Sequence, residues 1–115
     1  MYMVYDIGGT FVKYAYVDQT GEAADSGKFQ TPYVDAETLI NQMIIVAKNY
    51  SDVEGLAISC PGTIDVHTGV VYHGGALTYL HEVNMKQRLF EVLHVPVSIE
   101  NDAKCAALAE LWQGS

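Results

Sequence analysis

Basic residues are scarce in this chain: six Lys and Arg stand against fourteen Asp and Glu, a net charge of -8. Such a surface repels phosphate backbones, so no nucleic-acid partner is expected. Cysteine is also rare. Cys60 and Cys105 lie far apart and neither belongs to a CxxC pair, which argues against a disulfide framework or a zinc knuckle and leaves two reduced, small apolar side chains. The longest apolar run, Met43 to Ala47, is too short for a membrane span, and the start Met1-Tyr2-Met3-Val4 lacks a basic stretch followed by a signal-like apolar core. The expectation is a cytoplasmic protein with no membrane partner. Low-complexity tracts and repeat periods are absent too, which excludes solenoids and global disorder.

What is present suits one compact domain of 115 residues, half of them apolar. Strand-favouring residues Val4, Tyr5 and Ile7, then Phe11, Val12, Tyr14, Tyr16 and Val17, are broken by Gly8-Gly9 and Gln19-Thr20-Gly21. These predict two hairpins, with a third strand over Ala23 to Gln30 whose alternation is weak. Asp35 can cap a helix in which Leu39, Ile40, Met43, Ile44 and Ala47 form one apolar face, ending near Asn49. A buried strand follows over Val53 to Ser59, then a small ribbon over Asp65 to Tyr72 around His67-Thr68-Gly69. Asn84, with Gln87 three positions on, opens a second helix carrying Met85, Leu89 and Leu93, which Pro96 cuts off. Val97 to Glu100 reads as a strand and Ala103 to Trp112 as an alanine-rich third helix. The predicted order is β-β-β-α-β-α-β-α. This is an α/β chain with a mixed sheet and flanking helices rather than a purely parallel one.

Three constellations could carry chemistry. Asp6-Ile7-Gly8-Gly9-Thr10 sits where the first strand turns back: its glycines let backbone N-H groups approach a phosphate, and Thr10 adds a hydroxyl. Asp6 would repel phosphate directly, so its sensible role there is to hold Mg²⁺ through water. The same residues also read as a plain hairpin turn. Glu100-Asn101-Asp102 follows a strand and opens a helix, where a carboxylate could take a proton from an attacking hydroxyl and Asn101 could fix neighbouring hydroxyls. Taken alone, Asp102 reads more readily as an ordinary helix cap. Ser59-Cys60-Pro61-Gly62-Thr63-Ile64-Asp65, with His73-Gly74-Gly75-Ala76 downstream, could approach a small polar ligand or simply turn the chain. His67, His81 and His94 have no metal-ligand spacing.

Together the motifs are far more specific than apart. Asp6-Ile-Gly-Gly-Thr, then Pro61-Gly62-Thr-Ile-Asp65 with Gly69, then the run from Pro96 through Glu100-Asn101-Asp102 to Glu110 resemble, in order and spacing, the ROK family of repressors and sugar kinases. The resemblance covers nearly the whole chain and is strongest to the β-glucoside kinase and glucokinase-like branch. It implies a ribonuclease-H-like lobe of the actin-like ATPase type and ATP-dependent phosphorylation of a sugar hydroxyl, the 6-hydroxyl of a hexose or glucosyl disaccharide. Asp6, Gly8, Gly9 and Thr10 would form the first phosphate motif with ATP and Mg²⁺, and Asp102 the catalytic base. Gly62, Gly75, Asn101 and Asp102 would touch the sugar. Leu77-Thr78-Tyr79-Leu80-His81 departs from the Pro-Asn-Leu and Trp stretch usual in glucokinase-like members, which leaves the sugar open. Residues 1-115 are expected to be a single N-terminal lobe, without the second lobe's adenosine pocket and structural Zn²⁺, in a protein that pairs as a homodimer. A non-catalytic sugar-sensing domain of a ROK-type regulator is the alternative.

Overall fold

The computed structural model describes residues 1-60, 63-65, 68, 70-72, 79 and 83-101. Three antiparallel strands lead, β1 (Tyr2–Ile7), β2 (Phe11–Val17) and β3 (Ala23–Gln30). They are followed by α1 (Ala36–Lys48), β4 (Gly55–Cys60), three short strands β5 (Thr63–Asp65), β6 (Val70–Tyr72) and β7 (Val83–Asn84), α2 (Met85–Leu93), and β8 (Val97–Asn101). The main sheet runs β3-β2-β1-β4-β8, with β2 antiparallel to both neighbours and β1, β4 and β8 mutually parallel. Strands β5 to β7 form a separate antiparallel sheet.

Period-two alternation gives the main sheet two unlike faces. On the first lie Met3, Tyr5 and Ile7 of β1, Val12 of β2, Leu56, Ile58 and Cys60 of β4, and Val97 and Ile99 of β8, all buried in one cluster. Leu39, Ile40, Met43, Ile44 and Ala47 of α1 and Met85 and Leu89 of α2 close the same cluster, so both helices cover this face. The Tyr5 hydroxyl donates to the Met43 carbonyl at 2.7 Å, tying the sheet to α1. Each helix is started by its expected cap: the Asp35 carboxylate accepts from the Thr38 N-H at 2.8 Å and the Asn84 side chain from the Gln87 N-H at 3.0 Å.

Four details differ from the sequence expectation. β4 starts at Gly55 rather than Val53, after Asp52 turns the chain through a left-handed φ of 57°. The second helix stops at Leu93, where His94 takes a left-handed φ of 56° and its N-H caps the Phe90 carbonyl, so His94 rather than Pro96 ends it. Strand β8 continues through Asn101, because parallel pairing of Asn101 with Cys60 extends the ladder one residue further. β7 adds a third strand to the small sheet, which begins at Thr63 rather than Asp65. The expected third helix, Ala103 to Trp112, lies outside the described residues.

Candidate functional site

Asp6, Ser59 and Glu100 occupy the penultimate positions of the three parallel strands and fall in one register row: Asp6 lies opposite Ser59, and Ser59 opposite Glu100. The row marks the carboxyl ends of the strands, where open α/β sheets bind ligands. It lies on the second face of the sheet, away from α1 and α2. Asp6 is exposed there.

Immediately beyond Asp6 the chain reverses through Gly8-Gly9-Thr10. The Gly8 N-H donates to the Phe11 carbonyl at 3.0 Å and closes the turn. A Cβ on Gly8 would stand 2.9 Å from that carbonyl oxygen, so the turn tolerates no side chain at this position. Neither Gly8 nor Gly9 adopts a positive φ, so close approach rather than backbone handedness demands glycine at position 8.

The loop is held from behind by the link between β3 and α1. Thr31, fully buried, donates through its hydroxyl to the Gly8 carbonyl at 2.8 Å and through its N-H to the Thr10 carbonyl at 2.8 Å. The Tyr33 hydroxyl donates to the Gly9 carbonyl at 2.6 Å. All three carbonyls of the turn are therefore tied back. The N-H groups of Gly9 and Thr10 and the Thr10 hydroxyl take no partner among the described residues. Two backbone donors and a hydroxyl without partners among the described residues, at a half-buried to exposed turn, could receive an anion.

The link itself is anchored. The Tyr79 hydroxyl donates to the Pro32 carbonyl at 2.5 Å, and burial, followed by the nearby Asp35, Cys60 and Tyr33, pushes this phenol above its ordinary pKa. Thr31 and Tyr33 carry no motif, and Tyr79 stands out in the sequence only as part of the Leu77-to-His81 stretch, with no role attached to it. Thr31-Pro32 after a strand was the only signal, and it reads as a strand end. Cys60 is buried in the first-face cluster, as a small apolar side chain would be.

The exposed Asp6 carboxylate beside these open N-H donors could hold Mg²⁺ through water, since the ion keeps most of its waters and takes one or two carboxylates plus phosphate oxygens. Among the described residues no three His, Cys, Asp or Glu side chains gather as a closed metal cage would require. Of the other expected site residues, Asn101 ends β8 beside Cys60, at the same sheet edge as the loop, and only its backbone is described. Gly62, Gly75 and Asp102 lie outside the described residues, as do Cys105, His67 and His81.

The mixed β3-β2-β1-β4-β8 sheet, with two helices against one face and a buttressed glycine turn at the carboxyl end of β1, has the actin-like ATPase fold. The chain belongs to the ROK family, whose model matches residues 2-115. It is 36% identical over 110 residues to the β-glucoside kinase of Klebsiella pneumoniae, a match covering 96% of this chain and 37% of that protein. The crystal structure of a ROK family protein from Streptococcus pneumoniae TIGR4 in complex with sucrose superposes with a TM-score of 0.81 at 32% identity, covering 96% of this chain and 38% of that one. The ROK family glucokinase from Streptomyces griseus in complex with glucose and AMPPNP superposes with a TM-score of 0.82 at 28% identity, covering 99% of this chain and 37% of that one. The chain thus spans between a third and two fifths of the length of these relatives. No helix among the described residues is long and apolar enough to cross a membrane.

Proposed function

We propose that this chain is the N-terminal lobe of an ATP-dependent sugar kinase and that the whole protein phosphorylates a sugar hydroxyl, the 6-hydroxyl of a hexose or glucosyl disaccharide. The observation that carries the proposal is the turn after β1, whose carbonyls are tied back by Thr31 and Tyr33 and whose N-H groups stay open beside the exposed Asp6. A site so arranged holds the phosphates of a nucleotide by positioning and electrostatics, which is most of what phosphoryl transfer needs. The printed names of the relatives, a β-glucoside kinase and a glucokinase with glucose and AMPPNP, support sugar and ATP as the reactants.

In this reading Gly8, Gly9 and Thr10 receive phosphate oxygens, and Asp6 holds Mg²⁺ through water, the ion supplying charge neutralisation when bound. The sugar lies past the ends of β4 and β8, against Gly62, Gly75, Asn101 and Asp102. Its hydroxyl oxygen attacks the γ-phosphorus, the bond to the ADP oxygen breaks, and the hydroxyl proton passes to the Asp102 carboxylate. The adenosine pocket and a structural Zn²⁺ site belong to a second lobe, and the assembled protein is a homodimer.

The test is sugar-dependent ADP release by the natural protein carrying this chain, with glucose, a β-glucosyl disaccharide, sucrose and N-acetylglucosamine as acceptors. Asp102→Asn keeps the shape and a cap acceptor but removes the base, so kcat should fall on the order of 10²-fold with the melting temperature unmoved. No ADP release with any of these sugars would end the kinase reading. A variant with near-normal kcat would end the assignment of Asp102.

A further inference from the structure

Away from the glycine turn, a groove of about 580 Å³ runs between α2 and the start of the edge strand β8, which β4 separates from β1. Phe90, Pro96 and Val97 give it an apolar wall, and Asn84, Lys86 and Ser98 a polar one. Its size is that of small-molecule sites, roughly 300–1,000 Å³. Phe90 is 51% exposed, so the core does not need its ring, and His94 stands against it with ring centroids 6.4 Å apart and planes at 75°. Lys86 is half-buried and forms no ion pair with any described residue, and the Ser98 hydroxyl takes no hydrogen-bond partner among them. None of the described residues that line the groove is acidic, and the first turn of α2 carries no acidic residue either. In a chain of net charge -8, a half-buried ammonium without a carboxylate gives up hydration and gains no ion pair. The charge of Lys86 therefore adds nothing to the fold where it stands.

We propose that this groove binds a sugar monophosphate, with the phosphate on Lys86, the apolar C-H face of the ring on Phe90, and a ring hydroxyl on Ser98. Each lining selects one part of that ligand. The unpaired ammonium asks for an anion, and lysine meets phosphate as a point charge. The exposed aromatic face beside Pro96 and Val97 asks for a flat apolar surface. The Ser98 hydroxyl asks for a polar partner, which a plain aromatic acid would leave unmet, while inorganic phosphate would leave Phe90 and Pro96 wet. Pro96 to Ser98 begin the strand that ends at Asn101, so the groove stands at the opposite end of β8 from the site row and a ligand there leaves that row open. Binding rests on the residues of the groove alone. On the kinase reading the ligand is of the product class, and the lobe then carries a product-sensing site apart from the reacting centre.

The test is calorimetric titration of glucose 6-phosphate into the natural protein carrying this chain, with magnesium AMPPNP saturating so that the γ-phosphate of the analogue keeps a product phosphate out of the reacting centre. Lys86→Met, which keeps most of the stem and removes the charge, should raise Kd about tenfold or more, as the loss of a hydrogen bond to a charged group does. Phe90→Ala should raise it about threefold or more. Lys86→Arg should retain most of the affinity, and Lys48→Met, at the end of α1, should bind as the wild type does. The melting temperature without ligand should be unchanged in Lys86→Met, and the wild-type affinity should weaken as salt is raised. No binding by the wild type, or Lys86→Met binding as tightly, overturns the proposal. Inorganic phosphate binding as tightly as glucose 6-phosphate, with Phe90→Ala unaffected, overturns it too, since the groove would then read only the anion. Binding through Lys86 in a protein that transfers phosphate to none of the sugars would sink the kinase reading while leaving the groove's ligand standing.

Discussion

Thr31 shows how much of this site rests on single polar atoms. It is fully buried, and its hydroxyl is the donor seen for the Gly8 carbonyl. Thr31→Val preserves the shape and strands that carbonyl, so stability should drop by about 1–3 kcal/mol in chemical denaturation, with looser binding of magnesium tripolyphosphate. Tyr33→Phe removes a bond at an exposed residue, so tripolyphosphate binding should weaken while the denaturation midpoint scarcely moves. Gly8→Ala drives a methyl against the Phe11 carbonyl and should cost both stability and binding. The turn after β1 was legible because paired glycines at a strand end reverse the chain, whether or not they also meet a ligand. Thr31, Tyr33 and Tyr79 were not, because a buried hydroxyl is recognised by what it touches, and its partner lies 23 residues away for Thr31, 24 for Tyr33 and 47 for Tyr79.

Among the elements, α1 was the easiest to read. Its apolar face recurs at helical spacing, its cap is an aspartate, and all five residues assigned to that face are buried. Met43→Ala should destabilise by about 2–5 kcal/mol, whereas Ile45→Lys, on the outer face and 56% exposed, should change stability by less than about 0.5 kcal/mol in the same denaturation series. Strand β3 was the hardest. Its residues are half-buried or exposed throughout, so alternation carries little signal, and it is a strand because β2 offers it seven partners from Phe11 to Val17. β8 overran its predicted end for a related reason: Asn101 has poor strand propensity, and its parallel partner Cys60 decides.

At the scale of the whole molecule, one phenol couples sheet and helix to pH. Burial holds Tyr5 far above its ordinary pKa, with the neighbouring Tyr14 and Tyr50 adding to the shift. The folded pKa is the raised one, so the stability this group contributes is complete below the unfolded value of about 10 and is lost as pH climbs from there toward the folded value. Alkaline unfolding should therefore begin near pH 10, read by tyrosinate absorbance together with circular dichroism. Tyr5→Phe should soften that onset without abolishing it, since Tyr50, pushed up to about 12 chiefly by its hydrogen bond to Asp25, and Tyr79 share it. The cost at neutral pH should be about 1 kcal/mol for the lost bond to Met43. Residues 1-115 by themselves should show no sugar-dependent ADP release in a coupled assay, because in the proposed two-lobe kinase turnover needs the adenosine pocket and the closing partner.

The sequence by itself determined which face of α1 and of α2 is apolar, where these two helices begin, and that a glycine turn follows the first strand. Those follow from local periodicity, capping and the freedom of a residue without Cβ, which act within a few positions. Only the tertiary structure decided that Asp6, Ser59 and Glu100 share a row, and that Thr31 and Tyr33 draw the carbonyls of the turn away from its open N-H groups. Register between strands and the aim of a hydroxyl are settled by packing across the sheet, so residues far apart in the chain become neighbours only when the fold closes.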